Sequence, residues 1–164
     1  MAPAAQKSGS FLLRFLLLAA LCEAIFFRSF ADGPLFAWYL AMHARAAGFV
    51  LRTLGIAVEV HGTTLSLGSG TFEIARGCDA TRALGLLCAA IMAFPASWRS
   101  KGLAIVKGTV LLLAVNLVRI LSLMFVSRVR PELFEHLHLA FWPLLLILTM
   151  LWFWTTWARR EVQV

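Results

Sequence analysis

The stretch GLAIVKGTVLLLAVNLVRILSLMFV, residues 102–126, carries Lys107 and Arg119 as its only charges. A helix needs about 20 mainly apolar residues to cross a bilayer, so this segment is expected to span a membrane. Similar blocks flank it. Ala80 to Ala96 and Leu139 to Trp157 are two more, and Phe11 to Phe30 is a fourth, broken by Arg14, Glu23 and Arg28. A secretory signal peptide would also begin with a basic flank such as Lys7. The long apolar stretch without a small-x-small cleavage site instead predicts a retained first span. The fold class expected is an all-α integral membrane domain of about four transmembrane helices.

Composition agrees. Of 164 residues, 61% are hydrophobic and 14% charged, and the apolar ones fall in blocks. The blocks leave too little polar sequence for a separate soluble domain, so residues 1–164 read as one membrane-embedded domain. A net charge of +7 would point to nucleic acid in a soluble protein. Here Lys and Arg sit between spans, where a lipid surface explains them, and no nucleic-acid partner is expected. The three cysteines Cys22, Cys78 and Cys88 form no CxxC pair and no zinc-type spacing, so neither a metal nor another cofactor is implied. Cys22 and Cys88 lie deep in apolar runs. Cys78 differs, because it follows Arg76-Gly77 and precedes Asp79, where a polar segment meets an apolar helix.

Two segments break the span pattern. Residues 34–55 are apolar on average yet hold His43, Arg45 and Arg52, which suits an amphipathic helix at the interface or against the bundle. In residues 57–74, Val58 and Val60, Leu65 and Leu67, and Phe72 and Ile74 alternate with polar residues around Gly62 and Gly68-Ser69-Gly70. Period two with glycine turns predicts short β-strands. An open sheet edge cannot lie in hydrocarbon, so a small β-hairpin is expected to cap the bundle from the water side.

If segment 34–55 does not cross, the N-terminus, the Arg99/Lys101 turn and the Arg159-Arg160 tail share one side, which the positive-inside rule makes cytoplasmic. The hairpin and the 127–138 loop then face outward. Arg45, Arg52, Arg76, Arg128 and Arg130 run against the rule on that outer side.

With this topology Cys78 stands at the outer end of the second span. Arg119 is about 25 Å along the third span from its inner end, and His138 opens the fourth. A thiol nucleophile needs a base and a stabilised oxyanion within hydrogen-bond reach, so three such residues at one depth point to a catalytic site. Each also has a bland reading: a buried thiol, a snorkelling arginine and a headgroup contact. Asn116 lies three residues before Arg119 on the same helical face and is expected to orient it. A helix starting near Gly77 would place Arg82 one turn below Cys78, and cation and helix N-terminus together would lower the thiol pKa. Asp79 opposes this electrostatically but suits a cap. His136 rivals His138. Two residues apart on a helix, at most one of them faces the thiol.

The runs Arg76-Gly77-Cys78-Asp79, Asn116-Leu117-Val118-Arg119-Ile120 and Phe134-Glu135-His136-Leu137-His138-Leu139-Ala140-Phe141-Trp142 together resemble the exosortase/archaeosortase family, most of all its short exosortase H branch. The resemblance covers roughly residues 56–160, including the turn Ala93-Phe94-Pro95-Ala96-Ser97-Trp98-Arg99. It implies a multi-pass protein of the bacterial inner membrane, a cysteine peptidase or transpeptidase with its active site facing outward. The implied partners are exported proteins that end in a short motif, a hydrophobic span and a basic cluster. By similarity Cys78 would form a thioester, His138 would shuttle protons and Arg119 would steady the thiolate or the oxyanion. His138 is preferred to His136 because it stands four residues before Trp142. Where many relatives have glycine two residues after the cysteine, this chain has Ala80, a change expected to affect backbone geometry more than chemistry.

A different class of protein would use the same polar residues otherwise. In a non-catalytic membrane subunit they would hold helices together by interhelical hydrogen bonds. A quinone or haem protein is disfavoured, since the histidines do not pair across spans at matching depth.

Overall fold

The computed structural model describes residues 3–26, 33–68 and 70–163; Arg28 and Ser69 lie outside the described residues. Helices α1 (Pro3–Ile25) and α2 (Pro34–Thr53) precede strands β1 (Glu59–His61), β2 (Thr64–Leu67) and β3 (Gly70–Glu73). Then come α3 (Thr81–Ala93), α4 (Trp98–Val129), α5 (Pro131–His136), a π-helical turn over Leu137–Phe141, and α6 (Trp142–Gln163).

Two helical segments among the described residues are long and apolar enough to cross a membrane, Trp98–Val129 and Pro131–Gln163. Their outer faces carry Val106, Val110, Val118, Phe125, Leu148 and Trp152, each more than half exposed. A water-soluble surface does not present so much contiguous apolar area, whereas lipid solvates it. This is a membrane protein.

The second expected span is shorter than predicted. At 13 residues α3 is about 20 Å long, less than a hydrocarbon core. Both ends have local causes. Pro95 disfavours helical backbone at the residue before it, and Phe94 is extended at ψ 139°. At the other end Ala80 is left-handed, at φ 59° and ψ 5°. That conformation is free of penalty for glycine and costs another residue roughly 1–2 kcal/mol, so alanine holds it at an energetic cost.

The expected hairpin is a three-stranded antiparallel meander in the order β1-β2-β3, with Val60 opposite Leu65 and Leu65 opposite Phe72. Alternation has the expected effect. Leu65, Leu67 and Ile74 are buried in a cluster with Leu40, Ala44 and Ala47 of α2 and with Ile120 and Met124 of α4, and Cys78 belongs to the same cluster. Segment 34–55 therefore forms a helix packed on the bundle and the sheet. Its buried face runs through Phe36, Leu40, His43, Ala44, Ala47 and Leu51, at helical spacing. Gly48 completes that face, since a Cβ there would come within 2.5 Å of Val60 Cγ2 on β1. Gly108 plays the same part among α3, α4 and α6, where a Cβ would meet Leu87 at 2.5 Å and Phe153 at 2.9 Å.

The polar contacts sort into two ends of the bundle. At one, Ser100 donates to Glu161 at 2.5 Å, Trp157 donates to Ser100 at 3.0 Å, and Phe11 meets Phe94 and Trp154 ring to ring. The first half of α1, the turn before α4 and the end of α6 thus lie together. At the other end Arg128 donates to the carbonyls of Leu67 and Gly70, tying the β2–β3 turn to the end of α4. The sheet, the Cys78 turn and the start of the 131–163 helical segment share this second end.

Candidate active site

Residues 77–80 form a tight turn between β3 and α3, held from three directions. The Asp79 carboxylate folds back on its own loop. Its Oδ1 accepts from the Thr81 N–H at 2.9 Å and from the Thr81 hydroxyl, and its Oδ2 accepts from the Gly77 N–H at 3.2 Å. It thereby supplies an acceptor for the first N–H of α3, as a cap does. From α2, the Tyr39 hydroxyl donates to the Asp79 carbonyl at 2.7 Å. From α4, Asn116 Nδ2 donates to the Cys78 carbonyl at 2.9 Å. Asn116 was expected to orient Arg119; its amide instead pins the backbone of the cysteine.

Cys78 is 5% exposed, and its Sγ lies 3.8 Å from His138 Nδ1. Arg119 is 3% exposed and close enough for its charge to act on the thiol. Its Nε, like Asn116 Oδ1, is buried without a hydrogen-bond partner among the described residues. The structure therefore brings Cys78, Arg119, Asn116 and His138 together from α4, the π-helical turn and the 77–80 turn. His136 is exposed.

Two electrostatic expectations change. Burial pushes the Cys78 thiol up from its ordinary value; Arg119 pulls it down, and the Asp79 carboxylate adds to the rise. The net direction is up, opposite to the lowered pKa expected, because desolvation of a thiolate outweighs one cation. Burial thus favours the neutral thiol over the thiolate. Arg82 is also misplaced by the sequence reading. Because α3 begins at Thr81 after a left-handed Ala80, residues 78 and 82 are not stacked by a helical turn. Arg82 instead lines a hollow with Phe26, Arg76 and Thr81, and the cation acting on Cys78 is Arg119.

A family model described as transmembrane exosortase (Exosortase_EpsH) matches residues 4–155 of this sequence. The chain belongs to the transmembrane exosortase family. The match reaches well before residue 56, where the resemblance read from the motifs began. Neither the curated proteins nor the solved structures yield a match.

The candidate site includes residues that sequence reading passed over. Tyr39, the only tyrosine, could have been found by asking what a phenol in an apolar helix would donate to. Phe134 lies along the His138 ring, with centroids 5.4 Å apart and planes at 8°. Its spacing four residues before His138 was the available signal. Behind Tyr39, His43 Nδ1 lies 2.9 Å from the Tyr39 carbonyl and the two rings meet edge to face, so α2 backs the turn through a half-buried tyrosine and a buried histidine. Among the described residues no cluster of three or more His, Cys, Asp or Glu could hold a metal ion.

Proposed function

We propose that the chain is a membrane-embedded cysteine peptidase or transpeptidase that cleaves the C-terminal sorting signals of exported proteins. Its site faces outward from the bacterial inner membrane, which the chain crosses several times. The observation that carries this reading is the 3.8 Å approach of Cys78 Sγ to His138 Nδ1, with the Arg119 cation beside the thiol. A neutral thiol paired with an imidazole is activated as it reacts.

In the first half-reaction His138 takes the thiol proton while Sγ attacks the scissile carbonyl. The resulting oxyanion lies next to the Arg119 guanidinium. The Cys78 N–H is not available for that task, because it donates to the Ala75 carbonyl at 3.1 Å. Collapse breaks the C–N bond, and the leaving amine takes the proton from the imidazolium, which leaves a thioester on Cys78. In the second half an acceptor, water or an amine, passes its proton to His138 as it attacks the thioester, and the thiol is regenerated. The partners are exported proteins with a motif, an apolar span and a basic end, whose span shares the bilayer with the enzyme.

The bond from Asn116 to the Cys78 carbonyl would equally serve a non-catalytic subunit, in which polar groups hold helices together. Alanine substitutions separate the two. With a reporter carrying such a C-terminal signal, Cys78→Ala and His138→Ala each abolish cleavage, while Cys22→Ala, Cys88→Ala and His136→Ala retain most of it. Cys78→Ala also leaves uncut reporter associated with the protein. Normal cleavage by membrane-inserted Cys78→Ala would refute the nucleophile and leave the structural role.

A further inference from the structure

A histidine base works only if its ring is held in one orientation, and the usual device is a carboxylate or carbonyl on the second ring nitrogen. His138 has no such partner among the described residues, its one polar contact being Cys78. What lies along its ring is Phe134, stacked at 5.4 Å and 8°. Phe134 is itself met edge-on by Phe72, at 6.4 Å and 75°. Phe72 is on β3, paired with Leu65 of β2, whose side chain is fully buried in the core. A line of three rings therefore runs from a strand packed against the core to the imidazole.

The helical segment that carries Phe134 and His138 is itself unusual. Phe134 lies in α5 and His138 in the π-helical turn that follows, where the Trp142 N–H reaches back five residues to the Leu137 carbonyl. Such turns are rare and frequent at functional sites. A wider turn gives its side chains less support from helical neighbours, so an imidazole placed there depends more on a ring packed against it.

We propose that Phe134 is a positioning residue for His138, and that the sheet contributes to the active site through Phe72, which fixes Phe134 edge-on. This rests on the Cys78–His138 reading above and deepens it. The three-stranded sheet is then a buttress for the base as well as a cap on the bundle. Groups other than His138 that act on the thiol, Arg119 and Asp79, belong to α4 and to the cysteine turn, and the ring line does not include them.

The test uses the full chain in detergent with Cys22→Ser and Cys88→Ser as background, so that Cys78 is the thiol read. Two measurements are made on each variant: the rate of Cys78 alkylation by iodoacetamide against pH, and kcat and KM on the reporter. His138→Ala sets the profile of a thiol without its base. Phe134→Leu keeps apolar bulk but loses the flat ring. It moves the alkylation profile toward that of His138→Ala and lowers kcat by about two- to tenfold, the range an aromatic pair is worth, with KM unchanged. Phe134→Tyr restores both, and Phe72→Leu moves both in the same direction by less.

An unchanged profile and kcat in membrane-inserted Phe134→Leu, alongside a shifted profile in His138→Ala, would overturn the proposal and leave the catalytic pair intact. If His138→Ala shifts nothing, the pair and the proposal fall together. Should Phe134→Leu fail to accumulate, Phe72→Leu decides: a moved profile supports the ring line and an unmoved one overturns it.

Discussion

Replacing Asn116 by leucine separates the cost of holding the fold from the cost of aiming the nucleophile. Asn116 is fully buried, and its Nδ2 donates at 2.9 Å to the Cys78 carbonyl. Leucine has the same branched heavy-atom skeleton, so no cavity forms, and the main loss is that of one interhelical hydrogen bond. Within membranes such bonds average about 0.6 kcal/mol. Orphaning a buried carbonyl costs about 1–3 kcal/mol. Asn116 Oδ1 has no partner among the described residues, so removing it offsets part of the loss. A net destabilisation of about 1 kcal/mol follows, small against the roughly 5–15 kcal/mol of an ordinary domain. The effect on turnover is larger, because the same bond sets where the Cys78 backbone lies. A displacement of about 1 Å at a reacting group can cost on the order of 10²-fold. Asn116→Leu is therefore expected to accumulate in the membrane with near-normal thermal stability in detergent and to lose at least about tenfold in reporter cleavage. Cleavage retained in full would refute the pinning argument, and so would a cleavage loss that merely tracks a fall in protein level.

Arg119→Lys keeps the charge and loses the planar donor fork, so it is expected to insert normally and lose most cleavage; near-normal cleavage would reduce Arg119 to a generic cation. Because burial raises the Cys78 pKa above its ordinary 9.0, alkylation of Cys78 is expected to keep climbing as pH passes that value. The sign for stability is the same: the buried neutral thiol contributes below its ordinary pKa, and the contribution is lost as pH rises through the raised one. An alkylation plateau near neutrality would show a stabilised thiolate instead. An impermeant label is expected to reach cysteines placed at Gly62 and at position 69 from outside intact cells, and labelling only after permeabilisation would invert the site.

The sequence was most legible where the physics is local. Period-two alternation over residues 57–74 gave a sheet that buries Leu65 and Leu67, with Ile74 buried just after its last strand, and two long apolar runs gave two helices able to cross. It misled where a single backbone angle decides. Ala80 offers no sign of its left-handed conformation, so Arg82 was aligned with Cys78 on a helix that begins three residues later than the cysteine. Asn116 was assigned to its neighbour on the helix face because helical spacing is visible in sequence, whereas the carbonyl it bonds is 38 residues away. The thiol pKa was given the wrong direction because nearby cations can be counted in a sequence and desolvation cannot.

What the sequence alone determined is therefore the solvent and the parts: a bilayer protein, with a cysteine, an arginine and a histidine at the ends of separate apolar runs. Hydropathy and periodicity are sums over neighbouring residues, and they survive without knowledge of the fold. Only the tertiary structure decided which nitrogen faces the thiol, which amide holds its backbone, and that a strand reaches the histidine through Phe72 and Phe134. Those contacts depend on angles and a few ångströms between elements distant in sequence, and residue order does not encode such distances one pair at a time.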